Sequence, residues 1–338
     1  MNFEEFIGQK EIITSIKKSL GNNRTGHAYI FNGPKGIGKK TLAKIFGFRL
    51  ICENNNKVER CGTCPPCRMA DNGYNPDFHI VWHQDESIGV EEIRKLQSDI
   101  MIKPVYSNKK VYLIIDADRM TIQAQNCLLK VLEEPPSYAV FILTTAKYDA
   151  LLGTIRSRSI RFNFKKNTFS EVETALEQKH HGGNNGHAFI ISYADGVIGT
   201  ALELAESEEF ASIREQVTNI VFRLTKAELL DIFEVYDFFE ANKNRVELVF
   251  DIMLLLYRDL MIIKRVGKEN ILINSDKRDI ILNNVSNFSM ESLFRNIELI
   301  EKTRLNIKQN ANYQLSIEVM LMKLQEDAIH GQGSWGKI

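Results

Sequence analysis

Gly33-Pro-Lys-Gly-Ile-Gly38-Lys39 is the stretch that decides the fold. It follows the apolar run His27-Ala-Tyr-Ile-Phe31 and leads into a helical pattern beginning near Lys40. That is the strand, loop and helix context in which a glycine-rich backbone turns successive N–H groups inward on a phosphate. Gly33, Gly36 and Gly38 would supply that cradle, and Lys39 the cation that reaches the outer phosphates. The next position ordinarily carries Ser or Thr, whose hydroxyl coordinates Mg²⁺, but here it is Lys40. Thr41 follows, yet one step along a helix turns the side chain by about 100°, so its hydroxyl is expected to aim elsewhere. A glycine-rich turn without a ligand is the lesser alternative for the same residues.

Outward from this loop, the runs Ala28–Phe31, Phe78–Val81, Val111–Ile115 and Val140–Leu143 alternate with helical patterns, which predicts a mainly parallel sheet with crossover helices. All seven prolines lie before residue 137, and the 202 residues after Pro136 contain none. Segments 213–233, 245–265 and 290–308 space apolar residues three and four apart, so the second half reads as amphipathic helices. Ser170 and Glu173 have the spacing of a capping box, and Gly182–Gly186 reads as a loop. The fold class is therefore α/β followed by all-α, and residues 331–338 are expected to be poorly ordered.

Of 338 residues, 44% are apolar and 25% charged, ordinary for a globular chain of two or three domains, which sets disorder and fibrous repeats aside. Net charge is zero, but residues 1–166 hold 25 basic and 17 acidic side chains whereas 167–338 hold 18 and 26. The front half is thus the part suited to an anion. No run approaches the roughly 18 apolar residues of a membrane span, and MNFEEFIGQK lacks the blocks of a secretory signal, so a cytoplasmic protein with no membrane partner is expected.

Two constellations carry chemistry. Val111-Tyr-Leu-Ile-Ile-Asp116-Ala117-Asp118 ends an apolar strand on an aspartate, as a metal-assisted ATPase requires, but Ala117 stands where a water-orienting Glu would be. If the chain stays extended there, Asp118 points to the opposite face from Ala117. Separately, Cys52, Cys61, Cys64 and Cys67 place four thiols within 16 residues at short spacings that suit tetrahedral Zn²⁺. Four thiolates leave no open position, so the ion would be structural. An iron–sulfur cluster and free buried cysteines remain alternatives. Cys127 reads as a small core residue, His180-His181 as solvated, and Val319–Met322 as core. Lys109-Lys110 and Lys165-Lys166 read as solvated pairs at element edges, with a direct DNA contact as the lesser alternative.

Phe6-Ile-Gly-Gln9, His27–Phe31, Gly33–Lys39, the cysteine cluster, Asn126-Cys-Leu-Leu-Lys-Val-Leu-Glu-Glu-Pro-Pro136 and Ser157-Arg-Ser159 together resemble the AAA+ subunits of bacterial DNA polymerase III clamp loaders. The match is close over residues 1–205 and looser beyond, where Asn310-Ala-Asn312-Tyr-Gln-Leu315 fits the family's collar. The resemblance implies an AAA+ P-loop domain over 1–166 with a zinc module at 52–67, a helical lid over 167–207 and a helical collar over 208–338.

Two kinds of subunit share this plan, an ATP-hydrolysing motor and a catalytically degraded companion. Lys40, Ala117 and Gly199 stand where motors carry the metal-binding hydroxyl, the catalytic Glu and an Arg that senses the γ-phosphate. The resemblance therefore implies the companion, with weak ATP or ADP binding at Gly33, Gly36, Gly38, Lys39, Lys40, Thr41 and Asp116, little use of Mg²⁺ and little or no ATPase of its own. It implies a place in the polymerase holoenzyme, a nucleotidyltransferase assembly, beside motor and delta-type subunits in a ring that loads the sliding clamp on primed DNA. It further implies that Arg158 acts in trans as an arginine finger; in this chain Ser159 replaces the family's Cys. A motor subunit and a zinc-module DNA-binding regulator are the rival readings.

Overall fold

The computed structural model describes residues 2–22, 24–54, 58–83, 86–179, 186–225 and 231–330. Helix α1 (Lys10–Gly21), strand β1 (Ala28–Asn32) and helix α2 (Lys39–Leu50) come first. They are followed by α3 (Pro65–Asp71), β2 (Phe78–Val81), α4 (Val90–Ile100), β3 (Lys110–Ile114) and α5 (Ile122–Glu133). Next are β4 (Ala139–Thr145), α6 (Gly153–Ser157), β5 (Ile160–Asn163) and α7 (Phe169–Lys179). The strands form one sheet in the order β2-β3-β4-β1-β5, every neighbouring pair parallel.

Strand alternation sorts the core onto the two faces of this sheet. Tyr29, Phe31, Leu113 and Ile142 join Ile16, Leu42 and Phe46 on one side. Ala28, Ile30, Ile114 and Leu143 join Ile93, Leu128 and Ile155 on the other. Because the strands are parallel, the loops after β1, β3 and β4 leave the same edge, and β3, β4 and β1 are neighbours there. The glycine loop, Asp116 and Thr145 therefore share one rim, where an open α/β sheet binds its ligands.

Four of the strands coincide with the apolar runs. The fifth, β5, pairs Ile160 with Tyr29, yet its side chains are mostly exposed, so this edge strand presents no apolar run to be read. The helix α7 begins on a capping box two residues earlier than Ser170 and Glu173 suggest. The Thr168 amide donates to Glu171 Oε2 at 2.9 Å, and the Glu171 amide donates to Thr168 Oγ1 at 3.3 Å.

Two compact units emerge, one of residues 1–180 with 194–202 and one of 181–193 with 203–338. Residues 167–207, expected as a lid, are divided between them. The remaining helices are α8 (His187–Ala194), α9 (Ile198–Glu206), α10 (Glu208–Arg223), α11 (Asp231–Ala241), α12 (Val246–Val266), α13 (Arg278–Asn284), α14 (Met290–Lys308) and α15 (Tyr313–His330). The apolar pattern of 213–233 belongs to two helices rather than one, since α10 ends at Arg223. Gly267, at φ 65°, closes α12 in the left-handed conformation that favours glycine.

In the second unit Met320 and Leu321 are buried as core, whereas Val319 and Met322 are exposed. Asp259, fully buried, accepts from the Asn274 amide at 2.7 Å and from its Nδ2 at 2.8 Å, and so ties the segment after α12 back onto that helix. His180-His181, most of the Gly182–Gly186 loop and the tail 331–338 lie outside the described residues. Among the described residues no helix is long and apolar enough to cross a membrane.

Candidate nucleotide, metal and interface sites

Gly36 and Gly38 sit at φ 80° and 97°, a region in which an L side chain is strained, and Gly38 caps α2. Lys39 is 7% exposed, and its ammonium donates to the carbonyls of Gly33 and Pro34, both at 2.7 Å. Burial pushes this ammonium below its ordinary pKa, and the Asp116 and Asp118 carboxylates offset part of the effect. Lys40 is exposed, with its ammonium 4.6 Å from the centroid of the Trp82 ring. Thr41 lines a cavity of about 390 Å³ beside Phe6, Ile7, Ile37, Ile198 and Leu202. This cavity is apolar apart from Thr41, Glu5, Gln178 and Lys179 and adjoins the glycine loop at Gly36 and Gly38.

At the end of β3 the chain does not stay extended. Asp116 adopts φ 53°, and Ala117–Arg119 form a helical turn. The turn carries Ala117 into the core, fully buried. It also brings Asp118 Oδ1 within 2.6 Å of Thr145 Oγ1 and 3.2 Å of the Ala146 amide. Asp118 is thus engaged at the rim beside the glycine loop, a placement the extended reading missed. The only local signal for the turn was the pair of short polar residues flanking Ala117.

Gly199 has no room for a side chain. Its amide donates to the Gly36 carbonyl at 3.0 Å, and a Cβ at this position would lie 2.6 Å from that same oxygen. The start of α9 therefore rests directly on the glycine loop.

The four cysteines converge. Cys52 follows α2, Cys64 caps α3, and Cys67 lies in the first turn of α3 behind Pro65 and Pro66. All four ligand atoms lie within 4.8 Å of one another, and Cys52 and Cys61 are 3.6 Å apart. Tetrahedral Zn²⁺ with Zn–S near 2.3 Å needs sulfurs about 3.8 Å apart, so the donor set fits zinc. Burial raises the Cys64 and Cys67 thiols. Burial also raises Cys61, but hydrogen bonds from Thr63 and Cys64 outweigh it and set this thiol at about 6. Cys127 is half-buried against the α4–α5 side of the core, where its Sγ lies 3.1 Å from Gln97 Oε1.

Arg158 follows α6 and is exposed. Its Nη2 lies 3.0 Å from Glu133 Oε1, and its Nη1 donates to the Thr154 carbonyl at 3.2 Å. Arg156 instead pairs with Asp149 at 2.6 Å, and Arg161 lies over the Tyr148 ring at 3.7 Å. Gln125, buried on α5, donates to the Ala150 carbonyl at 3.1 Å and accepts from the Leu152 amide at 2.8 Å. Glu133 was legible only as part of the string before Pro135, and Gln125 not at all, because their partners lie 25 or more residues along the chain.

Comparison with known proteins follows the same division of the chain. Residues 8–168 match the family described as DNA polymerase III, delta subunit, and residues 208–326 match DNA polymerase III, delta subunit, C terminal. DNA polymerase III subunit delta' of Bacillus subtilis is 30% identical over 322 residues, covering 94% of this chain and 96% of that protein. DNA polymerase III subunit tau of the same organism is 27% identical over 95% of this chain, which spans 61% of tau's length. Among solved structures, a DNA polymerase III gamma subunit-related protein of Thermotoga maritima aligns at 20% identity and a TM-score of 0.47, over 94% of this chain and 99% of that one.

Proposed function

This chain belongs to the DNA polymerase III delta' family of clamp-loader subunits, and from that premise we propose that it completes the AAA+ ring that opens the sliding clamp and places it on primed DNA. Its partners in this reading are motor and delta-type subunits in a hetero-oligomeric ring, with clamp and DNA reached through the complex, in the cytoplasm. The subunit hydrolyses little or no ATP itself. It supplies Arg158 to a nucleotide held by its neighbour, where a guanidinium stabilises charge on the transferring phosphoryl group, worth about 10³–10⁵ in rate in other arginine-finger systems.

The observation that carries this reading is a contrast within one chain. Lys40, Ala117 and Gly199 leave the chain's own loop without a metal-binding hydroxyl, a water-orienting carboxylate or room for a sensing side chain, while Arg158 stands exposed on another segment. Lys39, Asp116 and the apolar cavity beside Thr41 would still hold ATP or ADP weakly, with little dependence on Mg²⁺. Residues 167–207 would act as the lid over that site and 208–338 as the collar through which subunits assemble. Cys52, Cys61, Cys64 and Cys67 would hold a structural Zn²⁺, whose part is to brace the module between α2 and α3 and not to take part in the reaction.

Affinity capture of this chain from its native host, with identification of the proteins that co-purify, tests the reading together with an ATPase assay on the isolated subunit. Stoichiometric recovery of clamp-loader subunits with negligible turnover is the expected result. Robust turnover by the isolated chain would make it a motor, the reading that the match to tau favours. Capture without clamp-loader subunits would leave a DNA-binding regulator.

A further inference from the structure

The string Leu132-Glu133-Glu134-Pro135-Pro136 has a visible structural task in its prolines, which end α5, but its first carboxylate is poorly placed for helix stability. A negative charge on the last turn of a helix meets the negative end of the helix dipole. Glu133 is the final residue of α5, half exposed, and the group it meets is Arg158. We infer that Glu133 is a positioning residue for Arg158, its carboxylate fixing the guanidinium in the orientation that meets the phosphate of a neighbouring subunit. This inference rests on the trans-acting role proposed above.

Three features support it. First, the guanidinium is held at both terminal nitrogens, Nη2 by the Glu133 carboxylate at 3.0 Å and Nη1 by the backbone carbonyl of Thr154 at 3.2 Å. A guanidinium carries five N–H groups, so these two contacts leave donors for a phosphate. Second, both members of the pair are well exposed, at 37% and 52%, so the ion pair itself adds little to folding stability. Its effect falls on the freedom of the arginine side chain, which is otherwise large. Third, α5 grips the same segment twice. Gln125 binds Ala150 and Leu152, and Glu133, two turns further along the helix, binds Arg158. The segment that carries the arginine is thereby laid along one rigid helix, and Glu133 extends that rigidity from backbone to side chain.

The test uses the reconstituted clamp loader with its motor subunits, clamp and primed DNA, reading stimulated ATPase alongside thermal unfolding of the isolated subunit. Glu133→Gln and Glu133→Ala are expected to lower kcat about tenfold with KM for ATP nearly unchanged and the unfolding temperature unmoved or slightly raised, because an arginine rotamer is released while an unfavourable charge leaves the helix end. Glu133→Asp, which keeps the charge, should retain most of the rate. In an Arg158→Ala background, Glu133→Gln should cost nothing further, since the residue acts through the arginine. A wild-type or raised kcat for Glu133→Gln, with Arg158→Ala slow, overturns the positioning role and leaves the trans-acting arginine standing. A wild-type rate for Arg158→Ala removes that arginine role itself and the inference with it.

Discussion

The amide of Gly199 and the carbonyl of Gly36 are joined by a 3.0 Å hydrogen bond that locks the first turn of α9 onto the glycine loop. A Cβ at 199 would also stand 3.0 Å from Gly36 Cα, so both clashing atoms belong to the backbone and neither can rotate aside. Gly199→Arg is therefore expected to push the loop and α9 apart and not to recreate a γ-phosphate sensor. Overpacking of this kind costs about 1–3 kcal/mol. Thermal unfolding should show the loss for Gly199→Arg and Gly199→Ala alike. A Gly199→Arg protein of wild-type stability that binds ATP more tightly would contradict the account.

Ala117 predicts how an attempt to restore hydrolysis will fail. Its methyl group is fully buried where the chain turns at Asp116, so a carboxylate introduced there enters apolar core and not the rim. Ala117→Glu should destabilise the domain by at least the roughly 1–3 kcal/mol of an overpacked core, with the desolvated carboxylate adding more. Lys40→Thr, at an exposed position, should lose only its contact with Trp82, about 0.5–1 kcal/mol. The combined variant should gain no turnover. ATP hydrolysis by it above the wild-type background is the result that would refute this.

For zinc, one ion per chain is expected by elemental analysis, and Cys64→Ser should loosen residues 52–67 without unfolding the rest. Binding exchanges protons for metal at thiols that burial holds protonated, Cys64 and Cys67 above all. Loading should thus release protons near neutral pH, and affinity should fall as pH is lowered. At about 6 even Cys61 takes up its proton, which should weaken the site further. Calorimetry in buffers of different ionisation enthalpy reads the proton count directly. A metal content near zero with all thiols freely titratable would remove the site.

Arg158→Ala should leave fold, zinc content and assembly intact while lowering the clamp- and DNA-stimulated ATPase of the complex. Arg156→Ala should do much less, because Arg156 is already engaged by Asp149. Equal effects of the two substitutions would point to a general basic edge instead of one acting residue.

Asp77 offers a stability test away from the ligand loops. It is fully buried, and its carboxylate accepts the amides of Val105, Tyr106 and Ser107, each at 2.8 Å. Asp77→Ala leaves these amides without their acceptor and should cost about 3 kcal/mol or more, since hydrogen bonds to a charged group are worth about 1.5–3 each. An unchanged unfolding temperature would show that water replaces the carboxylate at no cost.

The sequence by itself determined what local pattern can encode. Apolar runs marked β1 to β4, glycines at 36 and 38 marked a loop with left-handed backbone, and the spacing of Cys61, Cys64 and Cys67 marked a knuckle. Each is a property of a few adjacent residues, so periodicity and residue type suffice. Local reading faltered where a tertiary partner decides. Edge strand β5 lacks an apolar run because most of its side chains face out of the core, and Thr168 outcompeted Ser170 as the cap of α7. The turn at Asp116 that buries Ala117, the seat of Gly199 on Gly36, and the pairing of Glu133 with Arg158 belong to the tertiary structure alone. These contacts join segments far apart in the chain, and their distances follow from how helices and strands pack, which residue spacing does not record.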